Sequence, residues 1–146
     1  SILYGGMEIM TCLAEVFQEL RQIDRDFLRP WLAGFALAEP IRLLDLTGTW
    51  PTATGTSMAV STGPRGRAQR WSRAIYDTYP DIHGLYYPSS MHANRPAVAL
   101  FERALPALPR HPQFNRPLSD PILFVPLTRA ATRLRYRLRP VIDIEP

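Results

Sequence analysis

Two segments with the spacing of an amphipathic helix alternate with short apolar runs, and this mixture is the feature that most restricts the fold. The first segment, residues 12–20, carries apolar side chains at helical spacing, namely Leu13, Val16, Phe17 and Leu20, with Thr11 as the expected N-cap. The second, residues 67–79, repeats Ala68, Trp71, Ile75 and Tyr79 and ends at Pro80. Helices set among strands favour an α+β or α/β domain over an all-helical one.

The strands are expected in short apolar runs that are flanked by turn-forming residues. These runs are residues 1–5, 41–46, 83–87, 97–101 and 135–139. Residues 50–66 are rich in Thr, Ser, Gly and Pro and are expected to form a loop, with one helical turn near residues 57–60. Residues 104–118 are Pro-rich and are expected to be irregular. Residues 121–133 suit a helix, although Pro126 predicts a break in it.

Length and composition indicate one folded domain over residues 1–146. A hydrophobic fraction of 46% and a charged fraction of 21% exclude extensive disorder. All 17 basic residues are Arg, and together with 15 Pro this usage indicates a GC-rich coding sequence. The net charge of +4 therefore does not indicate direct nucleic-acid binding, which usually gathers basic residues on one face.

Several classes of site and location are disfavoured by what the chain contains. With Cys12 as its one cysteine and three scattered histidines, an intrachain disulfide is impossible and a zinc site is not expected. No apolar run reaches the roughly 18 residues that span a bilayer, so membrane association is not expected and the cytoplasm is the simplest location. An apolar strand at residue 1 without an initiator Met suggests an N-terminally truncated domain.

Three stretches resemble the RES domain family, named for an Arg, a Glu and a Ser. Residues 3–6 followed by 13–16 resemble its strand, turn and Glu-bearing helix. Residues 69–75 resemble its mid-domain helix, and residues 83–90 followed by 97–102 resemble its Ser-bearing pair of strands. The family's signature Arg precedes the first strand, where this chain has no residue. Met91 stands where many members carry a further Arg.

This resemblance implies an ADP-ribosyltransferase-like mixed sheet flanked by helices. It implies a bacterial toxin that cleaves the bond between nicotinamide and ribose of NAD, by hydrolysis, phosphorolysis or transfer of ADP-ribose to a protein. NAD is then a substrate, with no cofactor expected. The implied partner is an Xre-type helix-turn-helix antitoxin that covers the site, and a homodimer is left open. Two other hypotheses remain: a catalytically inactive RES-like module that pairs with the antitoxin, and an unrelated α+β interaction protein.

Glu15 is the candidate catalytic carboxylate. Positive charge grows on the ribose as nicotinamide leaves, and a fixed carboxylate stabilises that charge more in the transition state than in the ground state. Glu15 lies off the apolar stripe of its helix, so it either faces water or lines a cleft. A solvated helix residue is the alternative.

The other candidate catalytic and NAD-binding residues lie in the first strand and in the loop after residue 88. Ser89, and less strongly Ser90, could orient the nicotinamide amide or the ribose, or could serve only as turn residues. Tyr4 beside Gly5 could stack on nicotinamide where a ligand approaches the backbone, or could lie at the edge of the core. His92 could bind the ligand, or be an idle loop residue.

Two basic features allow a functional and a simpler interpretation. Residues 63–67, Gly-Pro-Arg-Gly-Arg, precede a predicted helix and could bind the diphosphate, although a surface loop is the simpler interpretation. A series of arginines near the C-terminus could face an acidic partner or simply be solvated: Arg129, Arg133, Arg135, Arg137 and Arg139.

Overall fold

The computed structural model describes residues 2–47 and 65–140, and within the second range the side chains from residue 72 onward. Three α-helices occur in these ranges: α1 (Ile9–Val16), α2 (Arg65–Thr78) and α3 (Phe124–Leu134). The strands are β1 (Ile2–Gly6), β2 (Gln22–Asp24), β3 (Trp31–Gly34), β4 (Leu43–Asp45), β5 (Gly84–Pro88), β6 (Pro96–Phe101), β7 (Phe114–Pro117) and β8 (Arg137–Arg139). Short 3₁₀ helices span Glu102–Ala107 and Pro121–Leu123.

A mixed four-stranded sheet in the order β1-β6-β5-β4 forms the centre of the fold. Strands β1, β6 and β5 pair antiparallel, and β4 pairs parallel with β5. Two smaller ladders join β2 with β8 and β3 with β7. The predicted α+β class with a mixed sheet is thereby confirmed, and the strands predicted near residues 1–5, 41–46, 83–87, 97–101 and 135–139 are all present.

One core lies on the face of the sheet that α2 covers. Its buried members are Leu46, Ile75, Leu85, Ala99 and Phe101, and Tyr4, Tyr76 and Tyr87 pack against it. Ile75 and Tyr76 come from α2, so the helix predicted at residues 67–79 supplies an apolar face to the sheet. The other buried side chains of this core alternate along their strands, as a half-buried sheet requires.

A second core holds the remaining helices and the small ladders together. It contains Leu13 of α1, Ile23 of β2, Leu32 of β3 and the α3 residues Leu127, Ala130 and Ala131, with Leu118, Leu123 and Tyr136. Helix α1 therefore lies between this core and β1. The candidate site includes Glu15 of this helix.

Several local predictions about helices and loops were wrong. Helix α1 begins at Ile9 and ends at Val16, so Thr11 is not an N-cap but a buried residue inside the helix, and Glu8 occupies the N-cap position. The predicted apolar stripe fails at two of its four positions, since Val16 is 46% and Leu20 is 76% exposed. Residues 104–118 are not irregular throughout, because a 3₁₀ helix and β7 occupy part of them.

Pro126 does not break α3. It is the third residue of the helix, within the first turn, where backbone N–H groups have no partner inside the helix and a missing donor costs little. The helical turn predicted near residues 57–60 lies outside the described residues. Among those that are described, no helix combines the length and the apolar character that crossing a membrane requires.

Candidate active site

The centre of the candidate site is a contact between α1 and the residue that follows β5. Ser89 Oγ donates a hydrogen bond to Glu15 Oε1 over 2.5 Å, although 74 residues separate the two in sequence. Glu15 is 7% exposed and Ser89 is 0% exposed. The structure thus brings together two of the three residues predicted to be catalytic, Glu15 and Ser89, and Glu15 does not face open water.

Ser89 reaches Glu15 because of strand alternation. Leu85 and Tyr87 of β5 contact the core under α2, and Ser89, two residues further on, continues the same side of the strand. The backbone N–H of Met91 also donates to Ser89 Oγ at 3.3 Å. The hydroxyl therefore accepts one hydrogen bond while it donates another, which fixes its orientation.

The end of α1 carries carbonyl groups that have no partner inside the helix, and two side chains satisfy them. The hydroxyl of Tyr136 donates to the carbonyl of Ala14 at 2.9 Å, and Gln18 Nε2 donates to the carbonyl of Glu15 at 2.8 Å. Gln18 Nε2 also lies 3.4 Å from Glu15 Oε2. Hydrogen bonds therefore hold Glu15 at its backbone carbonyl and at both of its carboxylate oxygens.

The segment of residues 89–95, here called the serine loop, is ordered by its own backbone. Ser89 N–H donates to the carbonyl of Arg95, and Asn94 N–H donates to the carbonyl of Ser89, over 2.8 and 2.9 Å. Ala93 and Asn94 both adopt left-handed backbone angles, with φ of 46° and 58°. The loop closes tightly on Ser89, so the position of that residue depends on the whole turn.

A comparison with protein families identifies the group to which this arrangement belongs. The family model described as the RES domain matches residues 1–124, a span that includes both Glu15 and Ser89. The chain belongs to the RES domain family. Searches of curated proteins and of solved structures gave no match. The expected likeness to ADP-ribosyltransferases therefore stays a prediction from the resemblance.

In this RES domain, Tyr4 lies on β1 opposite Ala99 of β6 and packs against the core under α2. It shares a sheet face with Tyr87, and the small residues Ala97 and Ala99 of β6 face that same side. Two half-buried aromatic rings on one face could form a surface for a flat ligand such as nicotinamide. Their place at the edge of a core suits the simpler interpretation equally.

Gly5 and Gly6 have different surroundings. A Cβ on Gly5 would meet Val98 Cγ2 at 3.4 Å, an ordinary contact, whereas a Cβ on Gly6 would lie 2.7 Å from the backbone nitrogen of Cys12. Gly6 is thus the glycine that allows close approach, and what approaches it is the first turn of α1. This close packing is what brings α1 next to β1.

The remaining sequence candidates lie further from the carboxylate. Ser90 is exposed, and the side chain of Met91 packs against the core around α3. His92 shares a hydrogen bond with Thr11 of α1. The side chains of residues 63–67 lie outside the described set. The C-terminal arginines are all exposed: Arg129, Arg133, Arg135, Arg137 and Arg139.

Burial raises the pKa of the Cys12 thiol above its usual value, and the charge of Glu15 raises it further, against a lowering by a backbone hydrogen bond at Gly6. Cys12 is thus a protonated thiol of low reactivity, as its sequence context predicts. Within residues 2–47 and 65–140 no three His, Cys, Asp or Glu side chains are grouped so as to hold a metal ion.

Sequence reasoning missed three residues that shape the site: Thr11, Gln18 and Tyr136. Thr11 precedes Glu15 by one helical turn, so correct helix bounds place it on the face that carries the carboxylate, whereas Gln18 lies beyond the end of α1 at Val16. Tyr136 gives no such signal, because it reaches α1 from 122 residues away.

Proposed function

We propose that this RES domain is the NAD-degrading toxin of a bacterial toxin–antitoxin pair and that it cleaves the bond between nicotinamide and ribose. Membership of the family supports the reaction class. The observation that carries the proposal is the buried hydrogen bond from Ser89 to Glu15, which holds a carboxylate in one orientation where α1 meets the sheet. A fixed carboxylate in a site shielded from water is the group this reaction requires.

In the proposed reaction, the bond between the nicotinamide nitrogen and ribose C1′ breaks with its electron pair leaving on nicotinamide. Nicotinamide departs neutral, and C1′ becomes part of an oxocarbenium ion. Glu15 stabilises that cation through its negative charge. A nucleophile then adds to C1′; water, phosphate and a protein side chain are the three candidates.

Ser89 and Tyr4 have supporting roles in this proposal. The hydroxyl of Ser89 orients the carboxylate of Glu15 and can turn to the ribose or to the amide of nicotinamide when NAD binds. The Tyr4 ring contributes to the surface on which nicotinamide stacks. An Xre-type antitoxin would neutralise the enzyme by covering this part of the surface.

The alternative function is a catalytically inactive RES-like module that binds the antitoxin. The near-complete burial of Glu15 and Ser89 favours it, because a carboxylate paired with a hydroxyl inside a protein can be purely structural. The two functions differ in whether NAD is consumed at all.

The deciding experiment measures NAD consumption and nicotinamide release by the protein, expressed with whatever coding sequence precedes Ser1. We expect the wild type to consume NAD and Glu15→Gln to lose at least about 100-fold of the rate, the scale of one preorganised transition-state contact. The exposed Glu19 lies four residues beyond Glu15, in the turn that follows α1, and Glu19→Gln is the matched control. A folded wild type without NAD consumption that still binds a helix-turn-helix antitoxin would establish the alternative.

A further inference from the structure

The serine loop runs along α1 in the opposite direction, and three contacts join them at successive positions. As residue numbers increase along α1, the residue numbers of the contacting loop residues decrease. The three contacts join Glu8 with Arg95, Thr11 with His92 and Glu15 with Ser89. Helix positions separated by three and four residues lie on one face. This face of α1 is thus matched to the loop along its length, from an exposed end at Glu8 to a buried end at Glu15.

The contact between Thr11 and His92 is energetically important for holding the loop, because Thr11 is buried. Thr11 Oγ1 and His92 Nδ1 share a hydrogen bond of 2.8 Å, and Thr11 is 0% exposed. A fully buried hydroxyl without a partner would be destabilising, so the ring of His92 is held where Nδ1 meets it. The outer ion pair of Glu8 and Arg95, at 3.6 Å and largely exposed, contributes little by comparison.

The backbone of His92 belongs to the turn that presents Ser89. Its N–H lies 3.4 Å from the carbonyl of Ser89, and its carbonyl accepts from Arg95 N–H over 2.8 Å. Arg95 in turn accepts from Ser89 N–H. Holding the His92 ring on α1 therefore fixes the turn relative to the helix that carries Glu15, and with it the distance between Ser89 Oγ and the carboxylate.

We propose that Thr11 and His92 form a positioning pair that sets the register of the serine loop on α1 and so keeps Ser89 on Glu15. This inference rests on the proposed function, and it gives His92 a different role from ligand binding. Its Nδ1 is engaged within the protein, and the ring acts on the reaction through Ser89. Thr11, in the same way, acts through His92.

The chemistry of histidine replacements allows a sharp test. Asn places a polar atom near the position of Nδ1, whereas Gln places one near Nε2. We expect His92→Gln to lower kcat by about 10- to 100-fold, the scale of a small misplacement of reacting groups, with KM changed by less than about threefold. His92→Asn should retain most of kcat. Thr11→Val should resemble His92→Gln, and Thr11→Ser should resemble His92→Asn.

The double variant Thr11→Val with His92→Gln should be no slower than the slower single variant, because the two side chains act as one unit. Arg95→Gln, which removes an exposed contact of the same loop, should change kcat by less than about twofold. Activity retained in His92→Gln but lost in His92→Asn would overturn the proposal, since it would show that Nε2 contacts NAD. Multiplicative losses in the double variant would overturn it as well.

A second measurement does not depend on NAD consumption. The backbone amides of Asn94 and Arg95 are hydrogen-bonded inside the serine loop, so their hydrogen exchange reports how well the turn is held. We expect at least about tenfold faster exchange of both amides in Thr11→Val than in the wild type, and little change in Thr11→Ser. Unchanged exchange in Thr11→Val would overturn the positioning role. Faster exchange in a protein that does not consume NAD would retain that role and reject the proposed function.

Discussion

Tyr136 donates its buried hydroxyl to the carbonyl of Ala14, the residue before Glu15. That carbonyl lies in the last turn of α1, where the helix offers no N–H to it. The C-terminal part of the fold, beyond the residues that the family model matches, thereby stabilises the helix that carries the candidate carboxylate.

Tyr136→Phe should destabilise the protein by about 1–3 kcal/mol, because it leaves a buried carbonyl without a donor. Urea unfolding measures this as a lower midpoint with an unchanged slope. Tyr79→Phe is the control, since the Tyr79 side chain is 40% exposed and should change the midpoint little. Equal midpoints for the Tyr136 variant and the wild type would show that the hydrogen bond does not stabilise α1.

The same tyrosine predicts an alkaline loss of stability. Burial raises the pKa of Tyr136 above its usual value of 10.0, with an added rise from Glu15 and a lowering from Arg21. The unfolded chain therefore releases this proton at a lower pH than the folded one. The stabilising contribution is complete below the unfolded pKa and is lost as pH rises from there through the folded pKa. Stability should thus fall more steeply above pH 10 in the wild type than in Tyr136→Phe, and parallel curves would contradict this.

Gly6→Ala should disturb the junction of β1 and α1. The added methyl group would lie 2.7 Å from Cys12 N and 2.9 Å from Glu8 O, and these are backbone atoms that cannot rotate away. Overpacking of this kind costs about 1–3 kcal/mol, measurable by thermal or urea unfolding. Gly5→Ala meets only ordinary contacts and should cost clearly less. A Gly6→Ala protein as stable as Gly5→Ala would show that α1 can shift without penalty.

Leu127→Ala should test how firmly α3 holds the core beneath α1. Leu127 is fully buried against residues of α1 and β2, so its truncation should cost about 2–5 kcal/mol. Ile122→Ala, at an exposed position in the preceding 3₁₀ helix, should cost little. Similar losses in the two variants would contradict the assignment of the core.

The α+β class and the strand positions could be predicted because they depend on local alternation and on turn residues. The apolar stripe on α1 could not be predicted correctly, because the helix ends at Val16 and tertiary contacts decide which side of the helix is covered. Periodicity placed Glu15 off the stripe but left open whether it met water or a cleft. Glu15 is buried through its contact with Ser89 and the serine loop, which are distant from it in sequence.

The residues around Glu15 show where sequence reasoning ends. The RES resemblance singled out Glu15 and Ser89, and the structure places them in contact, while their catalytic roles stay a prediction. The environment that holds them was not predictable. The apolar spacing predicts a helix that begins at residue 12 and so predicts Thr11 as its cap, and Tyr136 offers no pattern that links it to Ala14.

The central claim is that the carboxylate of Glu15 stabilises the transition state for nicotinamide release more than it stabilises bound NAD. The most direct test measures the Kd for NAD and the rate of nicotinamide release at saturating NAD for the wild type and for Glu15→Gln. We expect the rate to fall at least about 100-fold while Kd changes by less than about threefold. A folded Glu15→Gln protein that releases nicotinamide at the wild-type rate would contradict this claim.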